Sequence, residues 1–282
     1  EMSNTLAYKR TANQIRQLIL KAMRPLKGGH VGGSMSIADT FAVLYEDKLK
    51  YDPKNPKWEE RDWVVMSKGH AGPALYAALA LKGFFPEEEL PTMNQPHTIL
   101  PSHCDRLRTP GIDMSTGSLG QGTSTAMGIA KGLKMKGMEN KVYLILGDGE
   151  CNEGQVWEGI LFANAQKLDN LICLVDYNKQ QLDGYTKDIC DLGDLAQKFT
   201  TFGWYTQDID GHDYDAIANA IDNAKAHTGS PNAIILNTKK GKGCSFSDGV
   251  FSNHHMSVPV EKIDEAMEIL KAEYEALCAS SN

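Results

Sequence analysis

Apolar positions recur at helical intervals over residues 4–23, where Leu6, Ile15, Leu18 and Ile19 share one face. Arg24-Pro25 and the glycines of "KGGHVGGS" end that pattern. Ser36 is a candidate cap for a second helix, "IADTFAVLYEDKLK", which stops before the turn-rich "YDPKNP". A short strand follows, "DWVVMS", then a loop, "KGHAG", and a helix with Pro73 near its first turn. Residues 94–118 are irregular. From residue 119 the pattern alternates regularly: helix 123–136, strand 141–146, helix 155–167, strand 171–176, helix 194–202, strand 204–209, helix 213–227 and strand "NAIILNTK". A charged amphipathic helix, 261–277, closes the chain.

Strands separated by helices imply right-handed crossovers in a parallel sheet. "LILG" and "LICLV" are continuously apolar, as strands covered on both faces must be. The fold class is α/β, a mostly parallel sheet with helices on both faces. With no internal repeat or linker, residues 1–282 read as one domain. The 41% hydrophobic content supports a sizeable core. A net charge of −7 argues against nucleic acid or a membrane surface as partner, and no apolar run is long enough to span a bilayer.

The opening "EMSNTLAYKR" lacks the plan of a signal peptide, and Glu1 ahead of Met2 reads as an addition from cloning. None of the six cysteines forms a C-x-x-C pair, which disfavours a zinc knuckle; Cys173 falls inside an apolar strand. A reduced, cytoplasmic protein is the expectation.

In an open parallel sheet, ligands bind beyond the carboxyl ends of the strands. Two successive strands end in polar residues, Gly147-Asp148-Gly149 and Asp176-Tyr177-Asn178. The glycines permit close backbone approach, and Gly149 can turn an amide toward a phosphate. Asp148 offers an anionic oxygen and Asn178 a neutral one, a set suited to Mg²⁺ or Ca²⁺ shared with a diphosphate. The helix starting near Gly154 adds its positive end. A dinucleotide fold is the competitor, but "GDGECN" has Asn152 where G-x-G-x-x-G needs its last glycine. Without a metal, Asp148 would also repel the pyrophosphate.

The stretch "GDGECNEGQVWEGILFANAQKLDNLICLVDYN" resembles the thiamine diphosphate motif, and more narrowly transketolase. "GGHVGGSMSIADTFAVLY" and "SKGHAGPALYAAL" are similar to that family's two histidine loops. "TPGIDMSTGSLGQGTSTAMGIAKGLK" resembles its cofactor-cradling segment, and "DIDGHD" has a counterpart there. The match runs in order along nearly the whole chain. The resemblance implies a thiamine diphosphate-binding fold, with Asp148, Asn178 and the Gln180 carbonyl holding Mg²⁺, for which Ca²⁺ or Mn²⁺ could substitute. It implies that Gly149, Asn178 and His70 hold the cofactor, with Gly117 and Leu119 against its rings. Glu153 matches a glutamate that communicates between paired active sites; an ordinary acid at a helix start is the alternative.

Of eight histidines, His30, His70, His103, His254 and His255 sit in the matching loops. The resemblance gives His30 and His103 contacts to substrate hydroxyls, and gives His254 or His255 a place near diphosphate and substrate. His212 is assigned to a turn or helix cap; His97 and His227 are left to the surface. Two departures stand out: Cys104 where the family often has proline, and Asn253 where split relatives often have tryptophan.

The resemblance stops at the diphosphate-binding domain, so the pyrimidine-binding and C-terminal domains are absent, as is the glutamate that activates the cofactor. The implied protein is the N-terminal subunit of a split transketolase. It would form a dimer of heterodimers (a heterotetramer) with a C-terminal subunit. Together they would transfer a two-carbon ketol unit between sugar phosphates, as in the pentose phosphate pathway. Alternatives are a deoxyxylulose-phosphate synthase or dehydrogenase E1 type of thiamine enzyme, a non-catalytic cofactor-binding protein, a nicotinamide oxidoreductase, and a fragment of a longer enzyme; the end "KAEYEALCASSN" favours a real terminus over the last.

Overall fold

The computed structural model describes residues 4–280, so Glu1 and the last two residues of "KAEYEALCASSN" lie outside it. The chain opens with α1 (Thr5–Met23), a 3₁₀ turn (Arg24–Leu26) and a short strand β1 (Gly28–Gly29), then α2 (Val31–Ser36) and α3 (Ala38–Val43). Next come β2 (Trp63–Met66), α4 (Gly72–Leu81), α5 (Gln121–Met135), β3 (Val142–Gly147), α6 (Gly154–Ala165) and β4 (Leu171–Tyr177). The second half adds α7 (Thr186–Ile189), α8 (Leu195–Thr201), β5 (Tyr205–Asp210), α9 (Tyr214–Ala226), β6 (Asn232–Asn237), β7 (Met256–Ser257) and α10 (Val260–Ala279).

Five strands form one parallel sheet in the order β2-β3-β4-β6-β5. Its apolar strands serve two cores by alternation. Tyr143, Ile145, Ile172, Leu174, Ile234 and Leu236 pack with the helical layer that includes α1, α3, α4 and α9. Leu144, Leu146, Cys173, Val175 and Ile235 pack with residues of α5, α6 and α8. Strands buried this way cannot show a polar face, which is why the sequence reads as unbroken apolar runs. α10 packs on α1, bringing the end of the chain back to its start.

Two expected details are corrected. The helix anticipated over "IADTFAVLYEDKLK" is split: α2 starts earlier, at Val31, the chain breaks at Ile37, and a π-helical turn covers Leu44–Lys48. Ser36 is no cap, since its hydroxyl donates to the Gly33 carbonyl and to Asp176. The segment "KGGHVGGS" is not simply a breaker either. Gly28 and Gly29 pair antiparallel with Ser257 and Met256, a ribbon that fixes the segments carrying His30 and His255.

His212 lies in a turn, one of the two places expected for it, while the cap of α9 is Asp213, which accepts from the amides of Asp215 and Ala216. His212 instead bridges, with Nδ1 2.7 Å from Asp39 and Nε2 accepting from the Lys239 amide at 2.8 Å. Among the described residues no helix is long and apolar enough to cross a membrane.

Candidate functional site

The carboxyl ends of three strands converge. Gly147 at the end of β3 pairs in register with Asp176 on β4, and Asp176 with Leu236 on β6. The turns that follow bring Asp148 and Asn178 into one cavity of about 300 Å³, lined also by Gly33, His70, Leu119 and Gln180. Asp148 is buried, and its carboxylate accepts from the amides of Gly149 (2.8 Å) and Lys179. Burial, and then the charge of Asp176, push its carboxyl up to about 7. An anion is thus held where desolvation works against it.

Asp176 is fully buried too, yet differently served. It pairs with the Lys68 ammonium and accepts from Ser36, Thr238 and the Asn178 amide. Burial alone would raise its carboxyl; Lys68 and the hydrogen bonds outweigh that, and the net direction is down. Asp176 therefore has its counter-ion within the fold, while Asp148 does not.

The donors suit a hard divalent cation that shares its coordination with a diphosphate. Asp148 offers a desolvated carboxylate and Asn178 an amide oxygen, which accepts from the Gln180 amide at 3.1 Å. The Gln180 carbonyl accepts from the Lys240 ammonium at 3.0 Å. Gln180 Oε1 is buried with no hydrogen-bond partner among the described residues. A Cβ on Gly149 would lie 2.8 Å from that of Gln181, so glycine is what lets this turn close against the 180–182 loop. Gly149's own amide is spent on Asp148 rather than aimed freely into the cavity. No group of three or more His, Cys, Asp or Glu residues able to hold a metal occurs among the described residues. A set of one carboxylate with neutral amide and carbonyl oxygens would not produce such a group.

The five histidines anticipated from the loops do gather here. The His30 ring centroid lies 5.5 Å from His70, 6.0 Å from His103, 5.5 Å from His254 and 4.8 Å from His255. His70 and His254 are 4.8 Å apart. Burial is the largest cause of three downward shifts: His30 to about 4, His254 to about 3 and His70 to about 2. Neighbouring imidazoles and lysines push the same way. These rings are neutral at pH 7, each with one nitrogen to donate and one to accept.

The sequence could not separate His254 from His255, but the structure gives them different surroundings. His254 lines the cavity with Asp148; His255 and His30 line a second cavity of about 220 Å³ with Lys27, Asn94 and Ser102. Gly117 has φ of +142°, and a Cβ there would come within 2.9 Å of the His103 ring. The loop departure at Cys104 leaves His103 in the cluster: Cys104 is buried, and its carbonyl accepts from the Thr116 amide at 3.0 Å. Asn253 is buried and donates to the carbonyls of Lys240 and Ser247.

Glu153 stands apart, exposed at the start of α6 and outside both cavities. The acid that does organise the turn is Glu150, which sequence reasoning missed. Its carboxylate accepts from Ser67 and from the amides of Gly120 (2.8 Å) and Gly147 (3.1 Å), joining three loops at the cavity. Lys68 and Lys240 were missed as well. Nothing in their local sequence announces that they are buried; the only signal was the place of Lys68 in a loop already singled out, and Lys240, just past the strand "NAIILNTK", had none.

Residues 7–277 match the family model described as transketolase, thiamine diphosphate binding domain. The chain is 53% identical over 262 residues to the 6-deoxy-6-sulfo-D-fructose transketolase subunit SqwG of Clostridium sp. (strain MSTE9), covering 93% of this chain and 95% of that one. It is 38% identical over 268 residues to an apulose-4-phosphate transketolase subunit of Actinobacillus succinogenes, covering 95% and 96%. The crystal structure of transketolase from Campylobacter jejuni superposes with a TM-score of 0.88 at 31% identity, over 96% of this chain but 43% of that one. The chain thus spans less than half the length of that whole enzyme.

Proposed function

Because the chain belongs to the transketolase family, within its thiamine diphosphate-binding domain, we propose that it is the N-terminal subunit of a two-subunit transketolase. On this reading it is a single diphosphate-binding domain. A separate subunit supplies the pyrimidine-binding half of the site, and the two assemble as a dimer of heterodimers. The observation that carries the reading is the convergence, in and beside one cavity, of Asp148, Asn178 and Gln180 with the five-histidine cluster.

Asp148, Asn178 and the Gln180 carbonyl would hold Mg²⁺, with Gly149 and His70 beside the diphosphate. Leu119 and Gly117 would border the cofactor rings. When bound, thiamine diphosphate supplies the carbon nucleophile and electron sink for breaking and making the carbon–carbon bond. The chain's own residues bind and orient. His30, His103 and His255 would lie toward the hydroxyl-bearing carbons of the sugar, where an imidazole can take or return a proton.

In the overall reaction the bond between C2 and C3 of a ketose breaks, and its two-carbon ketol end joins the aldehyde carbon of an acceptor. The donor leaves as an aldose two carbons shorter, and the proton lost at one hydroxyl is regained at another. The names of the relatives support a donor with an anionic terminus, 6-deoxy-6-sulfo-D-fructose first and apulose 4-phosphate second, rather than a committed role in the pentose phosphate pathway. Glu153, exposed beside α6, would act across the interface between paired sites. The free cysteines favour a reducing, cytoplasmic location.

Calorimetry tests the cofactor assignment. Thiamine diphosphate should bind in the presence of Mg²⁺ and be lost with EDTA, while NAD should not bind under either condition. Metal-independent binding of NAD in place of thiamine diphosphate would contradict it. Assays of the assembled enzyme with the sulfo-sugar, apulose 4-phosphate and fructose 6-phosphate would then rank the donors.

A further inference from the structure

The segment "DIDGHD" lines neither cavity, yet both ring nitrogens of its histidine are engaged. β5 and β6 run side by side, with Asp210 in register against Asn237. Just past that pair the Gly211 amide donates to the Asn237 carbonyl at 2.9 Å, and beyond it His212 meets Lys239. The Lys239 amide donates to His212 Nε2 at 2.8 Å, while Nδ1 lies 2.7 Å from Asp39 Oδ2. An amide nitrogen can only donate, so Nε2 carries the lone pair and the ring proton sits on Nδ1. Asp39 accepts that proton as a carboxylate, fixed by the bidentate Arg16 pair and by the Tyr214 hydroxyl. Both ends of the ring thus specify one neutral tautomer.

What the ring holds is backbone, not a side chain. The Lys239 ammonium pairs with Asp248, and more than half of the lysine side chain is exposed. Its main chain belongs to segment 238–241, which is fastened residue by residue beside the cavity. Thr238 donates to Asp176, the Lys240 carbonyl accepts from Asn253 at 3.0 Å, and the Gly241 amide donates to the Gly32 carbonyl at 3.0 Å. Between them the Lys240 ammonium stands in the cavity, 3.0 Å from the Gln180 carbonyl and 3.2 Å from His254 Nδ1. The fastening at Lys239 ties this segment to α3 and α1, through Asp39 and Arg16.

Resting on the thiamine diphosphate reading, we propose that His212 is a positioning residue: backed by Asp39, it holds segment 238–241 in the arrangement that receives the cofactor. The ring touches neither diphosphate nor metal. Releasing the Lys239 amide lets the segment sample other arrangements, and apparent affinity falls with the fraction of molecules left competent.

Two substitutions separate the ring's two bonds. The Asn amide nitrogen falls near the place of Nδ1, so His212→Asn keeps a donor for Asp39 and loses the acceptor for Lys239. The Gln amide oxygen reaches the place of Nε2, so His212→Gln keeps that acceptor and leaves Asp39 a donor short. Calorimetry on the full chain with Mg²⁺ present, titrating thiamine diphosphate, reads the consequence. His212→Asn should bind about 3- to 10-fold more weakly, the range for one neutral hydrogen bond, and His212→Gln within about twofold of wild type. Melting temperatures should order the other way. His212→Gln should melt lower, because a buried carboxylate loses a donor, and His212→Asn near wild type, because only one loop opens locally. Hydrogen exchange at the Lys239 amide should quicken in His212→Asn alone. Affinity that follows the melting temperature in both variants, or affinity unchanged in His212→Asn, overturns the proposal. If the wild type takes up no thiamine diphosphate with Mg²⁺, the functional reading falls and this inference with it. Wild-type uptake with the variant order reversed or absent removes the inference alone.

Discussion

Asp148 is a buried carboxyl of the site with no ion pair of its own, raised to about 7 chiefly by burial. Replacing it by Asn keeps the shape and removes the anion, so Asp148→Asn should leave the fold intact and weaken metal-dependent cofactor binding by more than about 10–100-fold, the usual cost of losing even an outer-shell partner. Titration of the assembled enzyme with Mg²⁺ and thiamine diphosphate checks this; unchanged affinity would deny the assigned role. His30 offers a second check. Its ring is pushed down to about 4 chiefly by burial, so its imidazole signals in NMR should stay those of the neutral form from pH 8 to pH 5. The sign follows: the unfolded ring protonates first, so this histidine's contribution to stability is present at neutral pH and is lost on acidification through the interval between about 6.5 and about 4. At this scale the sequence was informative where residue chemistry is local: Asp148, Asn178 and the five histidines could be read from motif and resemblance. Lys240, Lys68 and Glu150 could not, because a charged residue in a loop looks the same whether it ends in water or in the core.

Elements hold these residues in place through contacts distant in sequence. Gly28 has φ of +129°, and a Cβ there would lie 1.9 Å from the Met256 carbonyl oxygen across the β1–β7 ribbon. Gly28→Ala should therefore cost roughly 1–3 kcal/mol and separate His30 from His255, seen as a lower urea midpoint together with a shifted His30 titration. Asp39 on α3 joins three helices and a turn: it takes a bidentate pair from Arg16 of α1 and hydrogen bonds with Tyr214 of α9 and His212 of the turn before it. Burial would raise its carboxyl, but Arg16 and the hydrogen bonds hold it well below the carboxylate range. Its stabilisation is thus present above the ordinary carboxylate pKa and is lost as pH falls toward the depressed value. Asp39→Asn should cost about 3–5 kcal/mol, the range for a broken buried pair, and should flatten the acid limb of a stability–pH curve. The parallel sheet and most helices were legible because long apolar runs and helical spacing are one-dimensional signals. The break at Ile37 and the glycine ribbon were not, since Ser36 turns inward to Asp176 and Gly28 pairs with a strand more than two hundred residues away.

At the scale of the whole molecule, one α/β layer structure gathers Asp148, Asn178 and Gln180 in a cavity at the ends of its strands, the proposed metal-and-diphosphate half-site. A parallel sheet covered by helices on both faces, with its site beyond the carboxyl ends of the strands, was implied by the alternation of strand and helix; the register of β3 on β4 was not. The partner was implied only by what the resemblance lacks, for no residue pattern in a chain states what another chain must bring. The decisive measurement is turnover by highly purified chain, alone and mixed with the separate subunit that carries the pyrimidine-binding domain, with thiamine diphosphate, Mg²⁺ and a ketose donor present. Ketol transfer should be absent for the chain alone and should appear on mixing; rapid transfer by the chain alone would contradict the account.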